Sequence, residues 1–256
     1  MSLRTALITG TTAGIGEATA ELLAQNNYRL ILNGRRHDRL EKQAEELQAK
    51  YGISCRIMAV DVRNQKEVAQ YIEELDDDWR NIDVLVNNAG LAAGLENLEN
   101  GDIDHWNRMI DTNIKGLLYM TKAMIPILKN SADAHIVNIG SIAGKEVYPN
   151  GNVYCGTKHM VDALNKAMRR ELAEQGIKVS SVNPGAVETE FSIVRLDGDE
   201  DKAKKVYNGF ENLVAEDIAD AIWYILSRPA HVNINELIIM PKAQPAAGVV
   251  IRNKGL

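Results

Sequence analysis

The chain has little cysteine, few aromatic residues and no long apolar run. Its 256 residues contain two cysteines, Cys55 and Cys155, too few for a disulfide framework, so we interpret both as buried side chains of a reduced, cytoplasmic protein. No stretch reaches the roughly 18 uninterrupted apolar residues of a membrane helix. A strand-like run begins at Thr5, so we expect no signal peptide and no membrane partner.

Basic residues are fewer than acidic ones, and the formal net charge is −6. This balance argues against a nucleic-acid partner that is held by phosphate attraction. The five histidines are scattered, and no His, Cys or Asp cluster has metal-ligand spacing, so we expect no metal. The hydrophobic fraction of 45% is enough for a substantial core.

Short apolar runs alternate with longer amphipathic stretches along the whole chain. The runs predict strands near 5–9, 29–32, 53–60, 82–86, 135–139, 177–182 and 237–240. The stretches predict helices over 38–50, 64–76, 102–130, 151–175 and 214–227. Such alternation is typical of an α/β fold, and it predicts one doubly wound domain over residues 1–256, in which helices cover both faces of a parallel sheet of about seven strands.

Some segments depart from this alternation or mark its boundaries. In the predicted helix 38–50, Asp38 is expected to be the N-cap and Gly52 to follow the last turn. Residues 186–213 are polar and follow a Pro-Gly pair, so we expect a substrate-covering insertion above the sheet. The tail 241–256 is apolar in patches; it either docks on a neighbouring subunit or is frayed.

The first strand leads into a glycine-rich turn, Thr9-Gly10-Thr11-Thr12-Ala13-Gly14-Ile15-Gly16, before a predicted helix. Glycines let the backbone turn sharply and approach a pyrophosphate, and the helix N-terminus offers free N–H groups and a partial positive charge. A tight turn without a ligand would also use glycine. The strand–turn–helix context favours a dinucleotide site.

The spacing Gly-x-x-x-Gly-x-Gly resembles that of the short-chain dehydrogenase/reductase family. Further motifs of that family follow in order: Asn87-Asn88-Ala89-Gly90, then Ser141, then Tyr154-x-x-x-Lys158. The resemblance covers nearly the whole chain. It implies a Rossmann-type sheet, an oxidoreductase acting on CH–OH groups, and a homotetramer built through the helices of 102–130 and 151–175.

The second strand ends with two arginines, Arg35 and Arg36, where an NAD site would carry an acid for the ribose 2′-hydroxyl. Guanidinium groups form strong forked hydrogen bonds with phosphate. These residues therefore predict NADP as the cofactor, although a solvated basic turn would look the same.

The glycine turn, the two arginines and the family motifs together predict the cofactor contacts. Asp61 matches a family position that bonds the adenine amino group, but an acidic turn residue is an equal alternative. The predicted contacts are Gly10, Thr12, Gly14, Ile15, Gly16, Arg35, Arg36, Asp61, Val62, Asn88, Gly90, Tyr154, Lys158, Pro184, Gly185, Val187 and Thr189.

Tyr154 and Lys158 are four residues apart on a predicted helix and so share a face. A free tyrosine has a pKa near ~10, and the ammonium of Lys158, with the oxidised nicotinamide, is expected to lower it enough for general acid/base catalysis. Ser141 ends a strand, where it can hold the substrate oxygen, although it would also serve as a helix cap. Asn113 matches a family residue that binds a water next to the lysine, but a helical Asn often bonds the backbone instead.

The stretch 187–195, with Ser141-Ile142-Ala143-Gly144 and Tyr148-Pro149, is similar to NADP-dependent 3-hydroxy acid dehydrogenases that act on serine, allo-threonine or 3-hydroxypropionate-type compounds. For substrate binding we expect Ser141, Tyr154 and Arg195, whose guanidinium would hold the carboxylate; a salt bridge from Arg195 to an acid at 197–201 is the alternative. A 3-oxoacyl-thioester reductase and a broad ketone or aldehyde reductase are rival enzymes, and an NADP-sensing scaffold is the non-enzymatic alternative.

Overall fold

Seven parallel strands form one sheet in the order β3-β2-β1-β4-β5-β6-β7, in a computed structural model that describes residues 3–252. The third strand is shorter than the sequence predicts, and the others agree closely. The strands are β1 Thr5–Thr9, β2 Arg29–Asn33, β3 Cys55–Met58, β4 Val84–Asn87, β5 His135–Ile139, β6 Lys178–Pro184 and β7 Glu236–Ile239. The predicted Rossmann-type α/β fold is confirmed.

Helices connect the strands and cover the sheet. The predicted helix 102–130 is two α-helices in the structure. A widened, π-helical turn, Asp111–Gly116, separates them. The α-helices are α1 Gly14–Gln25, α2 His37–Tyr51, α3 Gln65–Glu73, α4 Ile103–Ile110, α5 Leu117–Leu128, α6 Asn152–Glu171, α7 Phe191–Arg195, α8 Glu200–Tyr207 and α9 Ala215–Leu226. Within residues 3–252, none of these helices has the length and apolar character that crossing a membrane requires.

The ends of α2 confirm one sequence prediction and correct another. Gly52 follows the last turn with a φ of 69°, a left-handed conformation that glycine adopts without steric cost. Asp38, in contrast, is not the N-cap. The helix begins earlier, because the Leu40 amide donates to the carbonyl of Arg36, which makes Arg36 the cap and leaves Asp38 in the first turn.

Alternate residues of the inner strands point into two hydrophobic cores, one on each face of the sheet. On one face, Ile8 of β1 packs with buried residues of α1, α2 and α9. On the other, Leu7 packs with buried residues of α3, α5 and α6. Because both faces are buried, the inner strands are apolar on both sides, which is why they are continuous apolar runs in the sequence.

The strand order reverses direction between β1 and β4. In open α/β sheets, such a switch point leaves a crevice at the carboxyl ends of the strands. Residues 186–213 lie beside this crevice and contain α7 and α8, and they are tied down by a short parallel bridge between Val187 and Leu213.

The C-terminal tail turns back onto the same end of the molecule. The Gln244 side chain accepts a hydrogen bond from the Ala186 amide at 2.7 Å, and the Ala247 amide donates to Glu146 at 2.8 Å. Up to Arg252 the tail therefore packs on its own chain and is not frayed. Residues 253–256 of the predicted tail lie outside the described residues.

Candidate active site

The glycine turn after β1 has the conformation that the sequence predicts. Gly10 and Gly14 have φ values of 71° and 57°, and a side chain at Gly16 would collide with the Gly10 carbonyl oxygen, so α1 packs directly on the turn. Ala13 precedes α1 and has no side chain that could cap it. The first N–H groups of α1 are therefore free to bind an anionic ligand.

Asn88 braces this turn from the neighbouring strand. Its side-chain amide donates to the carbonyl oxygens of Thr9, at 2.8 Å, and Gly10, at 3.1 Å. The backbone amides of Asn88 and Ala89 donate to the Thr9 hydroxyl. Asn88 lines the cleft as predicted, and its amide group holds the glycine turn in place.

Most predicted cofactor residues meet in one cleft of about 240 Å³ at the switch point. The predicted residues that line it are Gly10, Thr12, Gly14, Ile15, Arg36, Asn88, Gly90, Ser141, Tyr154, Lys158, Pro184, Gly185, Val187 and Thr189. Six predicted site residues lie outside its lining: Gly16, Arg35, Asp61, Val62, Asn113 and Arg195.

The residues outside the lining have other surroundings. Both oxygens of Asp61 accept hydrogen bonds from Arg63, at 2.7 to 3.1 Å. Burial tends to raise the pKa of Asp61, but the Arg63 bonds and the charge of Arg35 hold it below its ordinary value. Val62 is buried in the core against Gly116. Arg35 is exposed and does not line the cleft.

The outer end of the cleft is basic and already contains a carboxylate. Arg36 donates to the Thr12 hydroxyl at 2.8 Å and to Glu190 at 3.2 Å. Arg39, one helical turn later, donates to the other oxygen of Glu190 at 3.1 Å. Arg39 was not among the predicted site residues, although its spacing of three from Arg36 on a helix was a usable signal. Glu190 carries no comparable signal in the sequence.

The inner end of the cleft brings Ser141, Tyr154 and Lys158 together. The Ser141 side chain accepts a hydrogen bond from the Ala143 amide at 3.1 Å, so Ser141 is also the cap that the alternative interpretation expected. Lys158 is 7% exposed, and its ammonium donates to the Ile139 carbonyl oxygen at 2.9 Å. Burial lowers the pKa of Lys158 to about 8, so it is largely protonated at neutral pH.

The surroundings of Tyr154 shift its pKa in opposite directions. Burial, with a smaller contribution from Tyr148, raises the pKa of Tyr154 above its ordinary value of 10.0; a hydrogen bond with Ser141 and the nearby Arg195 oppose that shift. Among the protein's own groups, desolvation therefore outweighs the nearby positive charge. These groups favour the neutral phenol, which is the form that can donate a proton. The expected lowering of this pKa by Lys158 and the oxidised nicotinamide together stays a prediction.

Asn113 lies in the π-helical turn and is buried. Its side chain makes a reciprocal pair with the backbone of Leu91, with both bonds at 2.8 Å, and donates to the Thr157 hydroxyl at 3.0 Å. These bonds join the loop after β4 to α6, which carries Tyr154. The structure thus gives Asn113 a bracing position beside Gly90 and behind the cleft.

Arg195 lies in a smaller cavity on the other side of Tyr154. It donates to the Tyr148 hydroxyl at 2.9 Å and to the Gly94 carbonyl at 3.3 Å, and its guanidinium carbon lies 5.5 Å from the centre of the Tyr154 ring. Within residues 3–252, no carboxylate pairs with Arg195, so the alternative of a salt bridge to residues 197–201 is wrong. Its Nη2 is buried without a partner in that part of the chain.

The C-terminal tail contributes one residue that the sequence analysis did not single out. Gln244 is 7% exposed, and its bond to the Ala186 amide holds the turn after β6 that lines the cleft. A side chain at Gly185 would meet the Gln244 oxygen at 2.5 Å. The tail thus fixes the turn on which Val187 and Thr189 depend, and no sequence motif pointed to it.

Comparisons with known proteins agree with this arrangement. A family model described as short chain dehydrogenase matches residues 4–199. The chain is 44% identical over 246 residues to a Salmonella typhi protein named NADP-dependent 3-hydroxy acid dehydrogenase YdfG, covering 96% of this chain and 98% of the relative. It is 42% identical over 239 residues to sulfoacetaldehyde reductase 2 of Chromohalobacter salexigens, covering 93% and 94%.

A solved structure is similar over nearly the full length of the chain. The closed form of serine dehydrogenase complexed with NADP⁺ superposes with a TM-score of 0.90 at 41% sequence identity, covering 98% of this chain and 100% of the other.

Proposed function

The chain belongs to the short-chain dehydrogenase family, and on that premise we propose that it is an NADP-dependent oxidoreductase that interconverts a small 3-hydroxy acid and its 3-oxo acid. Support comes from the relatives named NADP-dependent 3-hydroxy acid dehydrogenase and from the serine dehydrogenase structure with NADP⁺. The buried set of Ser141, Tyr154 and Lys158 counts against a purely NADP-sensing scaffold, because a sensor would not need it.

The residues present fit a dinucleotide with a 2′-phosphate. The uncapped start of α1 and the glycine turn suit the pyrophosphate, and Arg36 with Arg39 offers guanidinium groups at the far end of the same cleft. When bound, the cofactor supplies hydride transfer to or from the substrate carbon. The protein supplies orientation, charge and a proton.

Proton transfer is the proposed role of Tyr154. In reduction its neutral phenol donates a proton to the substrate carbonyl oxygen, and in oxidation it takes the hydroxyl proton. Ser141, which lines the inner end of the cleft together with Tyr154, would hold the substrate oxygen beside it. Lys158, four residues further along α6, would place a positive charge behind the ribose and the phenol. Asn113 is proposed to bind a water next to this lysine, as the matching residue of the family does.

The carboxylate of the substrate is proposed to bind Arg195. The observation that carries this proposal is the buried, unpartnered Nη2 of Arg195 within the described chain, next to the Tyr154 ring. A buried guanidinium donor without a partner has a cost, which an anionic substrate would remove. Tyr148 and Gly94 hold the group in orientation.

A sulfonate is the second candidate for the anionic group. The relative named sulfoacetaldehyde reductase 2 is nearly as similar as the 3-hydroxy acid dehydrogenases, and an arginine can bind either anion. The proposed function and this candidate share the catalytic set and differ only in the anion that Arg195 would hold.

The test measures kcat/KM of the purified protein for a panel of substrates, with NADP(H) and with NAD(H). The absorbance of the reduced cofactor reports the rate. The panel contains serine, allo-threonine, 3-hydroxypropionate, sulfoacetaldehyde, a 3-oxoacyl thioester and an uncharged ketone. We expect the highest kcat/KM with a 3-hydroxy acid and NADP. Faster turnover of the thioester or of the uncharged ketone would replace the proposal with one of the rival reductases, and no turnover of any compound would favour the scaffold.

We also propose that the protein is a cytoplasmic homotetramer of single-domain subunits. Exposed apolar side chains on α4 and α6, namely Ile103, Ile110 and Met160, support an interface on these helices. The two free thiols, Cys55 and Cys155, fit a reducing compartment. Light scattering on a size-exclusion column would measure the assembly, and a monomer at working concentration would contradict it.

A further inference from the structure

At the basic end of the cleft, one carboxylate of the chain already offsets part of the charge of two arginines. Glu190 accepts hydrogen bonds from both Arg36 and Arg39, one on each carboxylate oxygen. Burial tends to raise the pKa of Glu190, but the bonds from Arg39 and Arg36 hold it below its ordinary value, so the group is a carboxylate at neutral pH. The two arginines thus carry an anion before any ligand arrives.

The backbone around Glu190 is held in position next to the two arginines. It lies directly before α7, and the Thr189 hydroxyl next to it accepts a bond from the Phe191 amide at 3.2 Å. Thr189 also packs close to Gly14, where an added side-chain carbon would meet it at 3.1 Å. A carboxylate held in this way acts at a high effective concentration, because no association step is needed.

The same guanidinium groups are the ones that suit a 2′-phosphate. Nη2 and Nε of Arg36 donate to Thr12, at 2.8 and 3.1 Å, and Nη1, the nitrogen that bonds Glu190, keeps a second N–H. A phosphate group that binds Arg36 and Arg39 together would lie against the Glu190 carboxylate, which bonds both guanidinium groups, and would compete with it for them. NAD has a hydroxyl in place of the 2′-phosphate, so it does not compete with Glu190 for the two guanidinium groups.

We propose that Glu190 is an internal competitor of the 2′-phosphate for Arg36 and Arg39, and that it weakens NADP binding and speeds NADP release. This inference rests on the proposed NADP dependence and adds to it a residue that sets cofactor affinity. Release is favoured because the carboxylate regains its partners as the phosphate leaves. Loosely held cofactor suits an enzyme that must exchange it on every turnover.

The expected gain in NADP affinity on removing Glu190 depends on how exposed Glu190 and the two arginines are. The side chains of Arg36, Arg39 and Glu190 are 41%, 47% and 44% exposed, so solvent screens much of their attraction. We therefore expect Glu190→Gln to tighten NADP binding by about three- to ten-fold and to slow its release, while NAD binding changes little.

The matched control is Glu188→Gln. Glu188 lies two residues away on the same loop and is exposed, and its hydrogen-bond partner is Asn212, not an arginine. Both variants remove one negative charge from the loop. If general electrostatics were the cause, the two variants would tighten NADP binding equally.

The experiment measures the dissociation constants and release rates of NADPH, NADH and adenosine 2′,5′-bisphosphate for wild type, Glu190→Gln and Glu188→Gln, by fluorescence titration and stopped-flow displacement. We expect tighter and slower-leaving NADPH and bisphosphate in Glu190→Gln alone. That gain should disappear in an Arg36→Ser/Arg39→Ser background, because the competition acts through these arginines.

Weaker or unchanged NADPH binding in Glu190→Gln, or an equal gain in Glu188→Gln or for NADH, would overturn the inference and leave the proposed function intact. A wild-type chain that binds neither NADPH nor the bisphosphate would overturn both.

Discussion

The two ends of the cleft place positive charge in opposite surroundings. At the inner end, Lys158 is 7% exposed and bonds a carbonyl oxygen, and burial lowers its pKa to about 8. At the outer end, Arg36 and Arg39 are nearly half exposed and share a carboxylate. The buried end is suited to adjusting a proton, and the exposed end to exchanging one anion for another. Substitutions at the two ends should therefore affect proton transfer and cofactor binding separately.

The largest effect is expected at the inner end, for Tyr154→Phe. Removal of the hydroxyl leaves the packing of the ring against Phe191 intact but removes the group that exchanges the substrate proton. We expect kcat to fall by about 10²- to 10⁴-fold, the usual contribution of general acid/base catalysis. The control is Tyr71→Phe, which removes a phenol hydroxyl from α3, away from the cleft. A Tyr154→Phe enzyme with near-normal turnover would refute the mechanism.

At the outer end, the double change Arg36→Ser/Arg39→Ser should reduce the preference for NADP over NAD. Loss of charge-assisted hydrogen bonds to a phosphate predicts a fall of about 10²-fold in the ratio of the two kcat/KM values. Arg80→Ser serves as the control, because Arg80 is exposed, precedes the amino end of β4 and does not line the cleft. If the ratio stays the same in the double variant, the phosphate binds elsewhere.

The next smaller effect is expected on the substrate side, which Arg195→Met tests. We expect KM for a 3-hydroxy acid to rise by about 10- to 100-fold, the range for one charged hydrogen-bonding partner, while kinetics with a small uncharged ketone change little. Arg195→Lys should recover part of the loss. Equal losses for charged and uncharged substrates would mean that Arg195 only supports Tyr148 and the loop at Gly94.

The smallest effect concerns stability. The pKa of Lys158 is about 8 in the folded chain and 10.5 in its ordinary state, so between these pH values the unfolded chain binds more protons. The free energy of unfolding of wild type should therefore rise with pH relative to Lys158→Met, by at most about 1.4 kcal/mol per pH unit. Urea denaturation of both proteins from pH 7 to 10 measures this slope; parallel curves would show that Lys158 keeps its ordinary pKa.

Local sequence signals predicted the fold and most of the cleft. The strand–helix alternation determined the sheet, because burial on both faces requires continuous apolar strands. The glycine turn was equally clear, since positions such as Gly10 and Gly14 require positive φ.

What the sequence did not predict depends on contacts between distant parts of the chain. Glu190 and Arg36 are 154 residues apart and meet only because the turn after β6 crosses the glycine turn. The charges expected near Tyr154 could be inferred from its motif, but the burial that raises the pKa of the phenol could not, because burial depends on packing by distant parts of the chain. The π-helical turn at Asn113 was likewise missed, because a one-residue widening hardly alters hydrophobic periodicity.

The inner end of the cleft is expected to serve proton transfer and the outer end cofactor binding, and NADPH binding tests this difference most directly. Fluorescence titration of wild type, Tyr154→Phe and Arg36→Ser under one set of conditions gives three dissociation constants. We expect Tyr154→Phe to match wild type within about two-fold and Arg36→Ser to bind about ten-fold more weakly or worse. Equal losses of affinity in the two variants would contradict the account.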